Sequence, residues 1–331
     1  MPSNNMPRSL KSPILIRLPN WVGDVCMCLP ALSLLHAKGL RFAVCARPWA
    51  QELLQGVAIE SFVPVKGKFF NDLKTLRAWH HQNPAYQQGL LFTDSLSSAL
   101  LFRLAGLKSA GYRDDGRSLL LNVPLAKPEP RPHAVEAWYG LTTLALTRWG
   151  ISTQENILSP RLDLTLTAQQ ELAALSVMAQ ANLIPGSFIL IAPTATGLHH
   201  GQIKVWPHFG ALTQALQSRG MRVVMCPPLA EQQAAKLAAP GAELLPPLSL
   251  GAFAALARQA RLVVCNDSGV SHLCAAVNAR QLTLFGVTDP QRTRPWTPDS
   301  VNMGQNGQWA AASDVIARVF EILGLVDTET P

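Results

Sequence analysis

Leu262-Val-Val-Cys-Asn-Asp-Ser-Gly-Val-Ser-His272 is a short apolar run that passes at once into small polar residues and then into the helical stretch Leu273–Val277. An uninterrupted run of this length, bounded by polar loop residues, reads as a strand buried on both faces. Two other segments repeat the strand–loop–helix pattern. Ile14-Leu-Ile-Arg-Leu-Pro-Asn-Trp-Val-Gly-Asp24 leads into the amphipathic segment Val25–Lys38. Ala192-Pro-Thr-Ala-Thr-Gly-Leu-His-His-Gly-Gln-Ile-Lys-Val-Trp-Pro207 leads into a helix with Pro207 near its first turn, where the missing N–H is tolerated. Further strand-like runs lie at Ile14–Leu18, Phe42–Ala46, Ser61–Val63, Gly89–Phe92, Phe188–Ala192, Arg222–Cys226 and Leu282–Phe285, separated by helical patterns. This alternation predicts an α/β protein with parallel sheets. Its interruption around residues 150–185, in a chain of 331 residues, predicts two α/β domains of ~150 residues each, 1–160 and 161–331. The helix that completes the first starts near His133, after the Pro-rich stretch Pro124–Pro132. That stretch can be neither helix nor central strand, and reads as an exposed crossing segment.

Apolar residues make up 48% of the chain and charged residues only 15%, enough for two substantial cores and unlike a disordered composition. Met1–Ser12 is polar and reads as a loose arm rather than a signal peptide, which places the chain in the cytoplasm. No run approaches the ~20 apolar residues of a membrane span, so any membrane contact is expected to be peripheral. The six cysteines, Cys26, Cys28, Cys45, Cys226, Cys265 and Cys274, sit in apolar segments without metal-type spacing and read as reduced core thiols. The net charge of +7 is uneven: residues 1–160 carry 17 Lys and Arg against 10 Asp and Glu, and residues 161–331 carry 11 of each. A basic first domain suits an anionic partner such as a phosphorylated lipid or the inner leaflet of a membrane; a plainly solvated basic surface is the other reading. No helix-turn-helix, zinc-finger or aromatic RNA-binding signature is present, so no nucleic-acid partner is expected.

In open parallel sheets the loops at the carboxyl ends of the strands line the ligand crevice, which directs attention to the loops of the three segments. Asp24 is either a general base or a helix N-cap. Asp267, Ser268 and His272 are either caps and packed helix residues or, together, an anion site in which backbone N–H groups near Ser268 and Gly269 receive a phosphate. Thr194, Thr196 and Lys204 could hold a diphosphate. The pair His199-His200 lacks the further partners a metal needs, and no metal is expected. The chain has neither the G-x-G-x-x-G nor the P-loop fingerprint, which counts against a nicotinamide-dependent dehydrogenase and a P-loop nucleotidase.

The same segments carry a resemblance. Pro19-Asn-Trp-Val-Gly-Asp24, the stretch Asp94–Leu101, Gly111-Tyr-Arg-Asp-Asp-Gly-Arg117, Lys204-Val-Trp-Pro207, Asn266-Asp-Ser-Gly-Val-Ser-His272 and Phe285-Gly-Val-Thr-Asp-Pro290 occur in the order of the motifs of glycosyltransferase family 9. These are the ADP-heptose:lipopolysaccharide heptosyltransferases, and the likeness is strongest to those adding the second core heptose. The resemblance implies a GT-B fold: two Rossmann-like domains with parallel sheets facing across a cleft, the first binding acceptor and the second nucleotide-sugar. It implies inverting, metal-independent transfer of heptose from ADP-heptose to the lipopolysaccharide inner core, with no cofactor beyond the nucleotide-sugar co-substrate. Asp24 becomes the base. Thr194, Thr196, Lys204, Glu231, Asp267, Ser268, Gly269 and His272 become donor contacts, and Arg17, Asn20, Arg113 and Arg117 contacts to an anionic glycolipid acceptor. A transferase using another nucleotide sugar or acceptor, and a non-catalytic nucleotide-binding protein, are the rival readings.

Overall fold

The computed structural model describes residues 12–325 apart from 197 and 200, so most of the predicted N-terminal arm, and His200 of the His pair, lie outside the described residues. The chain divides into two compact units, Met1–Ser159 and Pro160–Pro331.

The first unit holds six strands: β1 (Ile14–Arg17), β2 (Phe42–Ala46), β3 (Phe62–Pro64), β4 (Gln88–Leu91), β5 (Lys108–Tyr112) and β6 (Val123–Leu125). They form one sheet in the order β3-β2-β1-β4-β5-β6, every neighbouring pair parallel. β1 is central, with Ile14 opposite Phe42 on one side and Gln88 on the other. Its residues are buried throughout, as are those of β2, because helices cover both faces of such a sheet. Leu15, Cys45, Val63, Leu76, Leu91 and Phe102 are among the residues packed in the core on one face. Gly89 has no substitute there, since a Cβ would stand 2.7 Å from the Phe102 ring.

The second unit repeats the plan. Its strands are β7 (Phe188–Ala192), the hairpin pair β8 (Leu198–His199) and β9 (Gln202–Ile203), β10 (Arg222–Met225), β11 (Glu243–Leu244), β12 (Leu262–Asn266), β13 (Gln281–Leu284) and β14 (Val301–Met303). The parallel sheet runs β11-β10-β7-β12-β13-β14. Counted within each six-stranded sheet, both follow the order third, second, first, fourth, fifth, sixth. This is the doubly wound Rossmann arrangement, in which the chain leaves the first and fourth strands toward opposite sides and opens a crevice at their carboxyl ends. The switch points therefore lie beyond β1 and β4, and beyond β7 and β12.

Local chemistry shifts several predicted elements. Val25–Lys38 is two helices, Val22–Met27 and Leu29–Ala37. Pro30 has no N–H to continue the first helix, and the chain bends at Cys28, whose N–H is shared by the carbonyls of Asp24 and Val25. Pro124 belongs to the edge strand β6, opposite Gly111, where a residue without an N–H is tolerated. The rest of the Pro-rich stretch is largely exposed, and its Glu129–Pro130 bond is cis. Helix Ala134–Arg148 does start at His133, through a capping box closed by Glu136. Helix Gly269–Ala276 starts four residues before the predicted Leu273, because Ser268 caps it by accepting the Val270 N–H at 3.3 Å.

Candidate functional site

At the switch point of the second unit, β12 ends in Asn266 and Asp267 follows it in the turn. Asn266 is fully buried and both ends of its amide are used: Oδ1 accepts the Trp206 N–H at 2.8 Å, and Nδ2 donates to the Ala192 carbonyl at 3.3 Å. One side chain thus ties the carboxyl ends of β12 and β7 to the segment that carries Lys204. Trp206, also fully buried, pins that segment a second time through Nε1 to the Ala310 carbonyl at 2.8 Å.

Asp267 is a buried carboxylate. Its main-chain N–H donates to Leu284 at 2.9 Å, and its Oδ2 lies 3.2 Å from Lys204 Nζ and accepts the Thr288 hydroxyl. Its Oδ1 is 3.9 Å from His272 Nε2, which is likewise buried. Burying a lone carboxylate costs several kcal/mol, so this one is retained with a cation and a hydroxyl on the same oxygen. Lys204 is less enclosed, 22% exposed at its side chain, and an ammonium has three N–H donors. With one held by Asp267, the others are available to an anion. Beside it, Ser268 and Gly269 open the helix whose first N–H groups favour negative charge. Across β7, the Thr194 hydroxyl donates to Glu231 Oε2 at 2.5 Å, and Glu231 closes the turn Leu229–Glu231 after β10. Lys204, Asp267, Ser268, Gly269 and His272 are thus gathered at one switch point, with Thr194 and Glu231 paired at neighbouring strand ends; Thr196 is exposed on the β7 loop.

In the first unit Asp24 is not an N-cap. Trp21, extended and 67% exposed, holds that position, and Asp24 stands half-buried in the first turn of Val22–Met27, where the helix dipole favours a carboxylate. Arg17 and Asn20, expected at an acceptor, face each other: Arg17 Nη2 donates to Asn20 Oδ1 at 2.8 Å, and Nη1 reaches the carbonyls of Leu18 and Cys45. Burial lowers the Arg17 pKa, yet a guanidinium keeps its proton, so a fixed positive charge sits at the end of β1.

Arg117 is more tightly enclosed. Expected to reach an acceptor anion, it is fully buried, with Nε on the Tyr112 carbonyl at 2.7 Å, Nη1 on the Thr93 carbonyl and Nη2 3.4 Å from Asp94. It ties the ends of β4 and β5 together. Lys127 completes the cluster by bridging Asp94, at 2.6 Å, and Asp114. Desolvation pulls the Lys127 pKa down, but its two carboxylate partners outweigh this and raise it. Arg113 is exposed beside this cluster. Asn266, Thr288, Asp94 and Lys127 go unmarked as site residues in the sequence, although the first three fall inside or beside the quoted motifs.

The described cysteines are all buried and unbridged. Burial, with Asp24 nearby for Cys26, pushes the Cys26 thiol up to about 12, and burial also takes Cys45 and Cys265 to about 12. Among the described residues no three His, Cys, Asp or Glu side chains gather as a metal site, and no helix is long and apolar enough to cross a membrane.

Residues 77–321 match glycosyltransferase family 9 (heptosyltransferase). The lipooligosaccharide heptosyltransferase 2 of Haemophilus influenzae is 27% identical over 304 residues, 85% of each chain. Among solved structures, Escherichia coli ADP-heptose lps heptosyltransferase II superposes with a TM-score of 0.72 at 22% identity, covering 94% of this chain and 97% of that one. Escherichia coli heptosyltransferase WaaC with ADP gives 0.73 at 24% identity, covering 93% and 99%. The paired Rossmann-like sheets and these likenesses establish the GT-B fold. With three-quarters of its length inside the family match, the chain belongs to glycosyltransferase family 9, the heptosyltransferases, and is a glycosyltransferase.

Proposed function

We propose that the chain transfers heptose from ADP-heptose to the inner core of lipopolysaccharide, with inversion and without a metal. The observation that carries this reading is the Lys204–Asp267 pair beside the capped start of helix Gly269–Ala276, at the switch point of the second sheet. A cation held in place by a buried carboxylate, next to the positive end of a helix dipole, is preorganised for a diphosphate. Lys204 supplies the positive charge a metal would otherwise bring. Thr196 adds a hydroxyl donor, while Thr194 gives its hydroxyl proton to Glu231, which, so oriented, offers its carboxylate to the nucleoside. Asp267 and His272 form the floor of the same donor site.

The first unit, residues 1–160 in the domain division read from the sequence, takes the acceptor; residues 161–331 take the donor. The acceptor oxygen forms a bond to the anomeric carbon as the bond to the diphosphate breaks, and ADP leaves with the electron pair. Asp24 takes the hydroxyl proton. Asp24 lies in the first turn of its helix and takes up the proton as the acceptor oxygen loses it. Asn20 and Arg113 meet the anionic acceptor, while Arg17 and Arg117 hold the strand ends that carry them. The positive excess of this unit draws the enzyme to its glycolipid acceptor at the cytoplasmic face of the inner membrane.

Asp24→Asn tests the division of labour: heptose transfer should fall by about a thousandfold or more, in line with loss of an acid–base group and its charge, while ADP binding measured by calorimetry stays within twofold. Loss of ADP affinity in this variant, with the fold intact, would contradict it.

A further inference from the structure

We infer that Thr288 is a positioning residue that sets donor affinity through Asp267 and Lys204, an inference that rests on the donor-site reading above. Thr288 lies in the loop after β13, is 7% exposed, and donates its hydroxyl to the Asp267 oxygen that also holds Lys204. The carboxylate oxygen Oδ2 is thereby shared between the Thr288 hydroxyl and the Lys204 ammonium. A carboxylate on a terminal torsion has a broad rotational well, so a lone Lys partner would leave its plane poorly set. The Thr288 hydroxyl fixes that plane, and with it the place to which the Lys204 ammonium is drawn.

The loop is built to deliver this hydroxyl. Phe285 N–H donates to the Met303 carbonyl at 2.8 Å and Gly307 N–H to the Gly286 carbonyl at 3.0 Å, which clamps the loop at its base. Trp309 lies so close over Gly286 that a Cβ there would come within 2.1 Å of the indole. Gly304, at φ +83°, lets the opposite chain pass, because a Cβ on it would stand 2.0 Å from the Phe285 carbonyl oxygen. Thr288 itself is given no contact with the donor; it acts on the residue that holds the cation.

The test is ADP titration by calorimetry on Thr288→Val, which keeps the shape and removes the hydroxyl, and on Thr288→Ser, which keeps the hydroxyl. Both are made in the otherwise unchanged chain and in the Lys204→Ala background, with thermal melts to confirm folding. Thr288→Ala, also without a hydroxyl, replaces the Val variant should that one not fold. Loss of a buried hydrogen bond to a charged group predicts roughly tenfold weaker ADP binding for Thr288→Val, with Thr288→Ser within about twofold of the parent. In the Lys204→Ala background the Val substitution should cost less than about twofold, because the path it acts through is gone. The inference is overturned by a Thr288→Val variant that binds ADP normally while Lys204→Ala does not, or by a tenfold loss that persists without Lys204. Normal ADP binding by Lys204→Ala would overturn the donor reading instead, and Thr288's role with it.

Discussion

The two units share one strand order and differ in what they bury at the switch point. At the end of β1 the first unit buries a cation, Arg17, and satisfies it with backbone carbonyls and Asn20. At the end of β12 the second buries an anion, Asp267, and satisfies it with Lys204 and Thr288. The topology fixes where a ligand binds; the sign and partners of the buried charge decide what is presented to it. In the second unit the anion's partner is a partly exposed Lys, the group proposed above to meet a diphosphate. In the first, the arginines are consumed in joining strand ends, and exposed residues such as Asn20 and Arg113 are left to meet a ligand.

If Arg117 is a tie rather than a ligand contact, removing it should cost stability first. Arg117→Ala removes a buried donor from the Tyr112 and Thr93 carbonyls, while Asp94 keeps Lys127, and should destabilise the first unit by about 2 kcal/mol, read from urea unfolding. Arg117→Lys should recover little, since an ammonium lacks the fork that reaches all three. Intact stability with lost acceptor binding would return Arg117 to the ligand. On the other side of the comparison, Lys204→Ala should weaken ADP binding about thirtyfold, ~2 kcal/mol for a charge-assisted contact. Asn266→Ala, which frees the Lys204 segment without touching its charge, should weaken it about tenfold, with a drop of ~2 kcal/mol in stability from two lost buried hydrogen bonds.

The smallest effects concern groups common to both units. A chelator should leave the transfer rate unchanged, and a clear loss would refute the metal-free account. The thiols Cys26, Cys45 and Cys265, raised to about 12, ionise only as the pH approaches that value. At pH 8 roughly one in ten thousand is a thiolate, so a thiol reagent should label them only after unfolding. Rapid labelling of the native protein would show that these cores open.

Legibility in the sequence follows burial. β1, β2, β7 and β12 are apolar runs because helices cover both faces, and each is plain in the sequence. β5, Lys-Ser-Ala-Gly-Tyr, lacks that signature because small residues stand in it, Gly111 among them with the Arg117 guanidinium packed close against it. β6, β11 and β14 are edge strands of two or three residues, too short for any periodicity to show, and one of them contains a proline. The site was legible as loops at strand ends, and the motif residues Asp267 and Lys204 stood out within them. What joins them was not: the Thr288–Asp267 contact spans 21 residues and the Asn266–Trp206 contact 60, distances over which no local periodicity carries information. The enclosure of Arg117 was not legible either, because an arginine in a loop motif looks exposed and only the paired ends of β4 and β5 show that it is buried.

The central claim, glycosyl transfer from ADP-heptose, is tested most directly by nucleoside diphosphate release. ADP-, UDP- and GDP-sugars, ADP-heptose among them, would be offered with a heptose-deficient lipopolysaccharide acceptor. The account predicts release from ADP-heptose alone, dependent on the acceptor and abolished in Asp24→Asn. Turnover with a UDP- or GDP-sugar in its place, or release that survives the loss of Asp24, would contradict it.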